Sequence, residues 1–229
     1  MPKHVGIVAC SAEGAALCYR TLCTEAPGVM GMHQHPEVSM HTFPLGLYME
    51  RLEREGWDAV GALMVASAEK LAHIGADFCI CPDNTIHQAF ARVERDSPLP
   101  WLHIAAEVAA EAARRQFRRL GVLGTRYLMD GPVYPEKLAP RGIAAVIPDA
   151  MQKQRIHQVI FDELVNGRFL PESRAYFSAV IDSLRQQGCD AVVLGCTEIP
   201  LLISEADSSL PTLDSTRILA RAALRHAIE

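Results

Sequence analysis

No apolar run in this 229-residue sequence approaches the roughly 20 residues that a membrane-spanning helix needs. Nor is there an excess of one charge sign that would suit a polyanion. Twenty-two Lys and Arg face 27 Asp and Glu, a formal net charge of -5, which argues against an electrostatic grip on nucleic acid or anionic lipid. The basic cluster Arg114, Arg115, Arg118 and Arg119 fits the solvated end of a helix. No disulfide framework is legible either: seven cysteines is an odd count, and they sit inside apolar, strand-like runs. The opening Met-Pro-Lys-His is followed by an apolar run too short for a secretory leader, so a reducing, cytoplasmic setting is expected. His33, His35 and His41 offer a His-x-His step but no further ligand set, and no metal site is expected. Low-complexity segments and long linkers are absent.

What is present is an alternation. Short β-rich runs alternate with longer helical stretches, the pattern of βα units around a parallel sheet. The spacing predicts strands at 5–9, 78–81, 101–104, 120–123, 143–147 and 191–194. It predicts helices over 14–23, 45–55, 105–116, 151–166, 173–187 and 215–227. Residues 27–44, rich in Gly, His and Pro, read as a loop around one short strand, and 60–65 fits a strand or a helix start equally. The composition, 49% hydrophobic and 21% charged, suits a folded protein, and the length allows one large domain or two small ones with a real core.

An internal echo organises the chain. Gly75-x-Asp77, an apolar strand and Pro82-Asp83-Asn84-Thr85 are matched by Gly188-x-Asp190, an apolar strand and Gly195-Cys196-Thr197-Glu198. Gly75 and Gly188, like Asp83 and Cys196, are 113 positions apart. Ligands of open α/β sheets bind beyond the carboxyl ends of strands, where both polar triplets fall. Two such halves facing each other would aim Asp83 and Cys196 at one ligand from opposite sides. Cys196 thereby becomes the leading acid/base candidate, because a free thiol titrates near pH 8.5 and modest fields favour its thiolate. Backbone N–H groups after Gly195, at a helix expected to begin near Thr197, would supply such a field. Cys18, Cys79 and Cys189 read as small core hydrophobes, and Arg126 and Arg174 as ordinary surface arginines.

These residues carry a family resemblance. Gly195-Cys196-Thr197-Glu198-Ile199-Pro200 is similar to the second cysteine motif of the aspartate/glutamate racemase superfamily, which also holds hydantoin racemases, maleate isomerases and arylmalonate decarboxylases. Leu123-Gly124-Thr125-Arg126, Tyr134 with Leu138, and Leu213-Asp214-Ser215-Thr216 also resemble family positions. Two departures stand out. The family's first motif, Pro-Cys-Asn-Thr-x-His, reads Pro82-Asp83-Asn84-Thr85-Ile86-His87 here, with Asp in the place of the first catalytic cysteine. The family's amino-terminal glycine-rich turn is replaced by Ala9-Cys10-Ser11-Ala12-Glu13.

The resemblance implies two similar α/β domains, each a parallel four-stranded-type sheet flanked by helices, pseudo-twofold related, with the active site between them. The expected division is 1–98 plus 213–229 against 99–212. It implies racemisation of an amino acid of the aspartate/glutamate class without a cofactor, by proton abstraction and return with Cys196 opposite Asp83, in a protein expected to be a homodimer. Asn84, Thr85, Thr125 and Thr197, together with Glu198, match positions that contact the substrate. Ser11 and Glu13 are expected to line the pocket through the altered turn. His87 lies one helical turn beyond Asp83, where it could hydrogen-bond it or serve structure alone. Asp83 has a second reading as the cap of the following helix. Alternative functions are a one-cysteine decarboxylase or isomerase acting on a small carboxylate, and a silent carboxylate-binding protein.

Overall fold

A computed structural model describes all residues, 1–229. Compactness divides the chain into Met1–Ile104 with Thr216–Glu229, and Ala105–Ser215. Each unit carries one parallel four-stranded sheet flanked by helices.

The first sheet runs β2-β1-β3-β4, with β1 at Val5–Ala9, β2 at Val38–Thr42, β3 at Phe78–Ile80 and β4 at Trp101–Leu102. Side chains alternate across it as the twofold strand period requires. Val5 and Ile7 of β1, with Phe78 and Ile80 of β3, enter a core against Leu22 of the helix Ala12–Glu25 and Leu219 and Ala223 of the helix Ser215–Ile228. Val8 and Cys79 face the other way, onto Tyr48, Met64 and Leu71 of the helices Leu45–Glu55 and Trp57–His73. Because both faces are covered, the strands are apolar throughout rather than alternating with polar residues.

The ambiguous 60–65 stretch lies inside the 17-residue helix Trp57–His73. Its buried positions Val60, Met64, Ala68 and Leu71 recur at steps of three and four, the helical period. Gly61 permits a close crossing there, since an added Cβ would come within 2.6 Å of Arg92 Cβ. Trp101–Leu102, expected to open the second half, instead pairs in parallel with β3 as the edge of the first sheet. Local pattern cannot choose between two sheets for a two-residue strand; hydrogen bonding to Cys79 and Ile80 does.

The second sheet runs β6-β5-β7-β8, with β5 at Arg119–Leu123, β6 at Ala144–Val146, β7 at Ala191–Leu194 and β8 at Thr212–Asp214. Val192 and Leu194 pack with Ile156, Val159 and Ile160 of the helix Ala150–Asp162 and with Phe177, Ile181 and Leu184 of the helix Pro171–Gln186. Asp149 and Gln152 form a reciprocal capping box that starts the first of these helices. Leu213 and Asp214 belong to this sheet, paired with Val193 and Leu194. Of the arginine cluster, only Arg114 ends a helix; Arg119 begins β5 and donates to the Gln187 carbonyl.

The two sheets share one order of crossing, second-first-third-fourth. The shared Gly-x-Asp turn is a shared device as well. Gly75 and Gly188 take φ values of +91° and +85°, a conformation open to glycine at little cost. Each closes its helix with the same pair of bonds: Ala76 N–H to Leu71 O and Gly75 N–H to Ala72 O, then Cys189 N–H to Leu184 O and Gly188 N–H to Arg185 O. Asp77 then accepts from the His4 N–H at 2.6 Å, and Asp190 from the Arg118 and Arg119 N–H groups at 2.7 and 3.1 Å. Both carboxylates thus tie the third strand of a sheet to the start of its first.

Candidate active site

In each sheet the connections after the first and third strands run to opposite sides, and the divergence opens a crevice at the carboxyl ends of those two strands. In the first unit these ends are the 9–13 turn after β1 and the 81–87 segment after β3. In the second they are Gly124-Thr125 after β5 and residues 195–198 after β7. The sequence-predicted residues fall at these four positions.

In the first unit, Ser11 is the N-cap of the helix Ala12–Glu25, extended at φ −98° and ψ 148°, and half-buried. Glu13 stands exposed in the first turn of that helix. Asp83 Oδ1 accepts from the Ile86 N–H at 3.2 Å, just ahead of the short helix Thr85–Ala89, whose N-cap position is Asn84. Asn84 is buried and Thr85 half-buried beside it. The His87 ring reaches the backbone of Asp83 rather than its side chain. Nδ1 donates to the Asp83 carbonyl at 2.7 Å, and Nε2 accepts from the Ile104 N–H at 3.4 Å. One nitrogen must donate and the other accept, which is the neutral Nδ1–H imidazole. Stacked 5.3 Å from Phe90, His87 clamps the Asp83 turn to the chain following β4.

In the second unit, backbone meets backbone. A Cβ on Gly195 would lie 2.6 Å from the Leu123 carbonyl, and one on Gly124 would lie 3.1 Å from the Gly195 carbonyl. Only glycines allow β5 and β7 to bring their ends so close. Thr125 is buried and its hydroxyl accepts from the Leu128 N–H at 3.2 Å. Cys196, 8% exposed, donates its thiol proton to Glu198 Oε2 at 3.0 Å, and the Thr197 hydroxyl donates to the same oxygen at 2.7 Å. Glu198 is 1% exposed, and its Oε1 has no partner. An unpaired carboxylate oxygen held out of water is costly, and Oε1 is open to a further donor.

The helix expected to begin near Thr197 starts further along. It is one turn, Ile199–Leu202, beginning two residues later and carrying Pro200. A one-turn helix contributes its free N–H groups but little macrodipole, so the polar environment of Cys196 comes mainly from the Glu198 and Thr197 side chains. Cys79, Cys81 and Cys189 behave as core hydrophobes: burial pushes Cys79 up to about 12, Cys81 well above the ordinary thiol range, and Cys189 upward. All seven are free thiols. Two features lay beyond sequence reading. The Cys196–Glu198 contact depends on the turn after β7, and Tyr48 shares the core beneath Cys10 and Cys81. Only the i,i+2 spacing of Cys and Glu hinted at the first.

Two doubly wound sheets with acid/base side chains at their switch points, a thiol beside a buried carboxylate in one and a carboxylate bonded to a backbone N–H in the other, define an α/β enzyme equipped to move protons. The Asp/Glu/hydantoin racemase family profile matches residues 7–223, and the chain belongs to that family. It is an isomerase of the racemase type. Among curated proteins it is 23% identical over 199 residues to the broad-specificity amino-acid racemase RacX of Bacillus subtilis (strain 168), covering 87% of this chain and 85% of that one. Among solved structures, a candidate Asp/Glu racemase from Yersinia pestis superposes with a TM-score of 0.90 at 29% identity, over 99% of this chain and 100% of the other. An aspartate racemase homologue from Pyrococcus horikoshii OT3 superposes with a TM-score of 0.85 at 26% identity, over the whole of both chains.

Proposed function

We propose that the protein racemises an amino acid of the aspartate/glutamate class, without a cofactor, with Cys196 and Asp83 as the acid/base pair. The observation that carries this reading is the Cys196 thiol donating to Glu198 at a strand end. Glu198 takes the thiol proton, and the resulting thiolate removes the proton on the substrate α-carbon. The carbon–hydrogen electron pair moves into the carboxylate as an enediolate, and protonated Asp83 returns a proton to the other face. One turnover leaves Glu198 protonated and Asp83 ionised. Exchange with water, Glu198 releasing a proton and Asp83 taking one up, restores the starting pair; the reverse direction runs the same steps backward. Asn84, Thr85 and Thr125 supply short donors for the carboxylate where negative charge develops, Thr197 borders it with its hydroxyl given to Glu198, and Ser11 and Glu13 border the substrate side chain. The α-proton is weakly acidic, so most of the acceleration must come from positioning the base and from those donors.

Incubation with a panel of D- and L-amino acids in deuterated water tests the reading. Aspartate or glutamate should gain Cα deuterium and racemise from either enantiomer, and Cys196→Ala should abolish both. The panel extends beyond acidic residues because the Bacillus subtilis relative is described as broad in specificity. Absence of exchange with every amino acid would sink the proposal. The backbone bond that engages Asp83 favours one specific rival, one-sided chemistry by a lone cysteine. Loss of carbon dioxide from a dicarboxylic acid, or a product of single handedness, would establish it.

A further inference from the structure

The peptide group that precedes Cys196 is held at both of its ends. Its N–H, that of Gly195, donates to the Leu123 carbonyl of β5 at 2.7 Å. Its C=O, that of Leu194, accepts from the Ser215 hydroxyl at 2.8 Å. Ser215 directly follows β8 and is fully buried. Leu194 and Asp214 are register partners, so the serine stands on the side of β7 that faces away from β5. A carbonyl from one neighbouring strand and a hydroxyl from beyond the other therefore fix a single peptide plane. On its far side Cys196 is held as well, since its carbonyl accepts from the Ile199 N–H at 3.1 Å.

Tyr134, buried on the short helix Val133–Leu138, touches the same place twice. A Cβ on Gly195 would lie 3.5 Å from Tyr134 Cε2, an ordinary packing distance, so the ring lies against the glycine. Its hydroxyl is hydrogen-bonded to Ser215. Ser215 has one hydrogen and gives it to the Leu194 carbonyl, so the phenol donates and the serine accepts. Burial pushes the phenol above its ordinary range against the opposing effect of the Ser215 bond, which keeps its hydrogen in place at neutral pH. A short one-way relay thus runs from Tyr134 to Ser215 to the carbonyl of the residue two before Cys196.

The geometry points to Ser215 and Tyr134 as positioning residues for the Cys196 thiol, which they hold on Glu198 by pinning the Leu194–Gly195 peptide. Neither contributes a group to the chemistry; both act through the main chain. The need for such a brace follows from the glycine. Gly195 is required for the close approach of β5 and β7, yet it is also the residue whose backbone is freest to turn, and Cys196 comes directly after it. The thiol reaches Glu198 Oε2 at 3.0 Å, and a misplacement of about 1 Å can cost about 10²-fold in rate. The inference rests on the reading of Cys196 as the base only for its consequence in turnover.

The test reads the thiol itself, through the infrared S–H stretch of Cys196, assigned by its loss in Cys196→Ala. A carboxylate acceptor lowers that frequency. Ser215→Ala should shift the Cys196 band upward, toward that of a thiol without an acceptor, and speed hydrogen exchange of the Gly195 amide. It should also lower kcat by about tenfold and leave KM nearly unchanged. Tyr134→Phe keeps the serine and removes only the phenol oxygen and its hydrogen. It should move all three readings the same way by less, and serves if Ser215→Ala does not fold. A Cys196 band at its native frequency in both variants overturns the assignment. Faster Gly195 exchange with a native band and native kcat would do the same, because the two residues would then serve stability alone. A shifted band in a protein that exchanges no amino acid would leave the assignment standing and remove the racemase chemistry instead.

Discussion

The Cys196 thiol donates to Glu198 Oε2 at 3.0 Å, two residues further along the same strand end. The pair is buried, and the Thr197 hydroxyl binds the same oxygen. Under the proposed mechanism a carboxylate in that place receives the thiol proton, whereas one that stays ionised opposes the thiolate by like charge. Those two effects have opposite experimental signs.

Glu198→Gln should therefore separate them. Cα exchange of the preferred amino acid should fall by about 10²-fold or more, the usual worth of a general base. Iodoacetamide should alkylate Cys196 faster at the same pH, because no neighbouring anion opposes the thiolate. Peptide mass spectrometry distinguishes this thiol from the other six. A parallel fall in both rates would reduce Glu198 to a packing role.

Asp83→Asn keeps an oxygen that accepts from the Ile86 N–H and removes the acid. Asn accepts such a bond as well as Asp does, so Tm should stay within about 2 °C of the native value. Exchange should fall by about 10²-fold if Asp83 transfers a proton. Native rates from both enantiomers would show that Asp83 transfers no proton.

Gly195→Ala forces a Cβ against the Leu123 carbonyl, a backbone atom that cannot swing aside. A cost of about 1–3 kcal/mol is expected from such overpacking, or about 2–4 °C of Tm for each kcal/mol at this chain length. Gly124→Ala should cost less, since its tightest contact is the mobile end of Leu128. Thermal denaturation monitored by circular dichroism ranks the two.

Glu25 accepts two bonds from Arg221, at 2.7 and 2.8 Å, joining the helices Ala12–Glu25 and Ser215–Ile228 within the first unit. The Arg221 hydrogen bonds hold the Glu25 carboxyl below its ordinary range, against a smaller upward push from burial. A depressed folded-state value contributes stability that is present above the unfolded value and lost as pH falls through the folded one. The pair is largely exposed, so its worth is under about 1 kcal/mol. Arg221→Gln should lower Tm by about 2–4 °C at most at pH 7, and the gap to the native protein should close on acidification. A gap that persists at pH 3 would contradict the ion-pair account.

Much of this protein follows from the sequence by itself. The alternation of short apolar runs with helical periods determined two parallel α/β units, because secondary structure is written in local periodicity. The repeated Gly-x-Asp turns placed Asp83 and Cys196 at strand ends, because a glycine at positive φ and the strand it precedes are set within a few residues. Tertiary structure decided the rest. Trp101–Leu102 joins the first sheet through hydrogen bonds that no two-residue pattern encodes. The 60–65 stretch is helical because its apolar face meets the first sheet and Gly61 meets Arg92. Glu198 turns back onto Cys196 only once the β5 and β7 ends approach through glycine. His41 on β2 meets Ser67 and Lys70 only because the helix Trp57–His73 packs beside that strand.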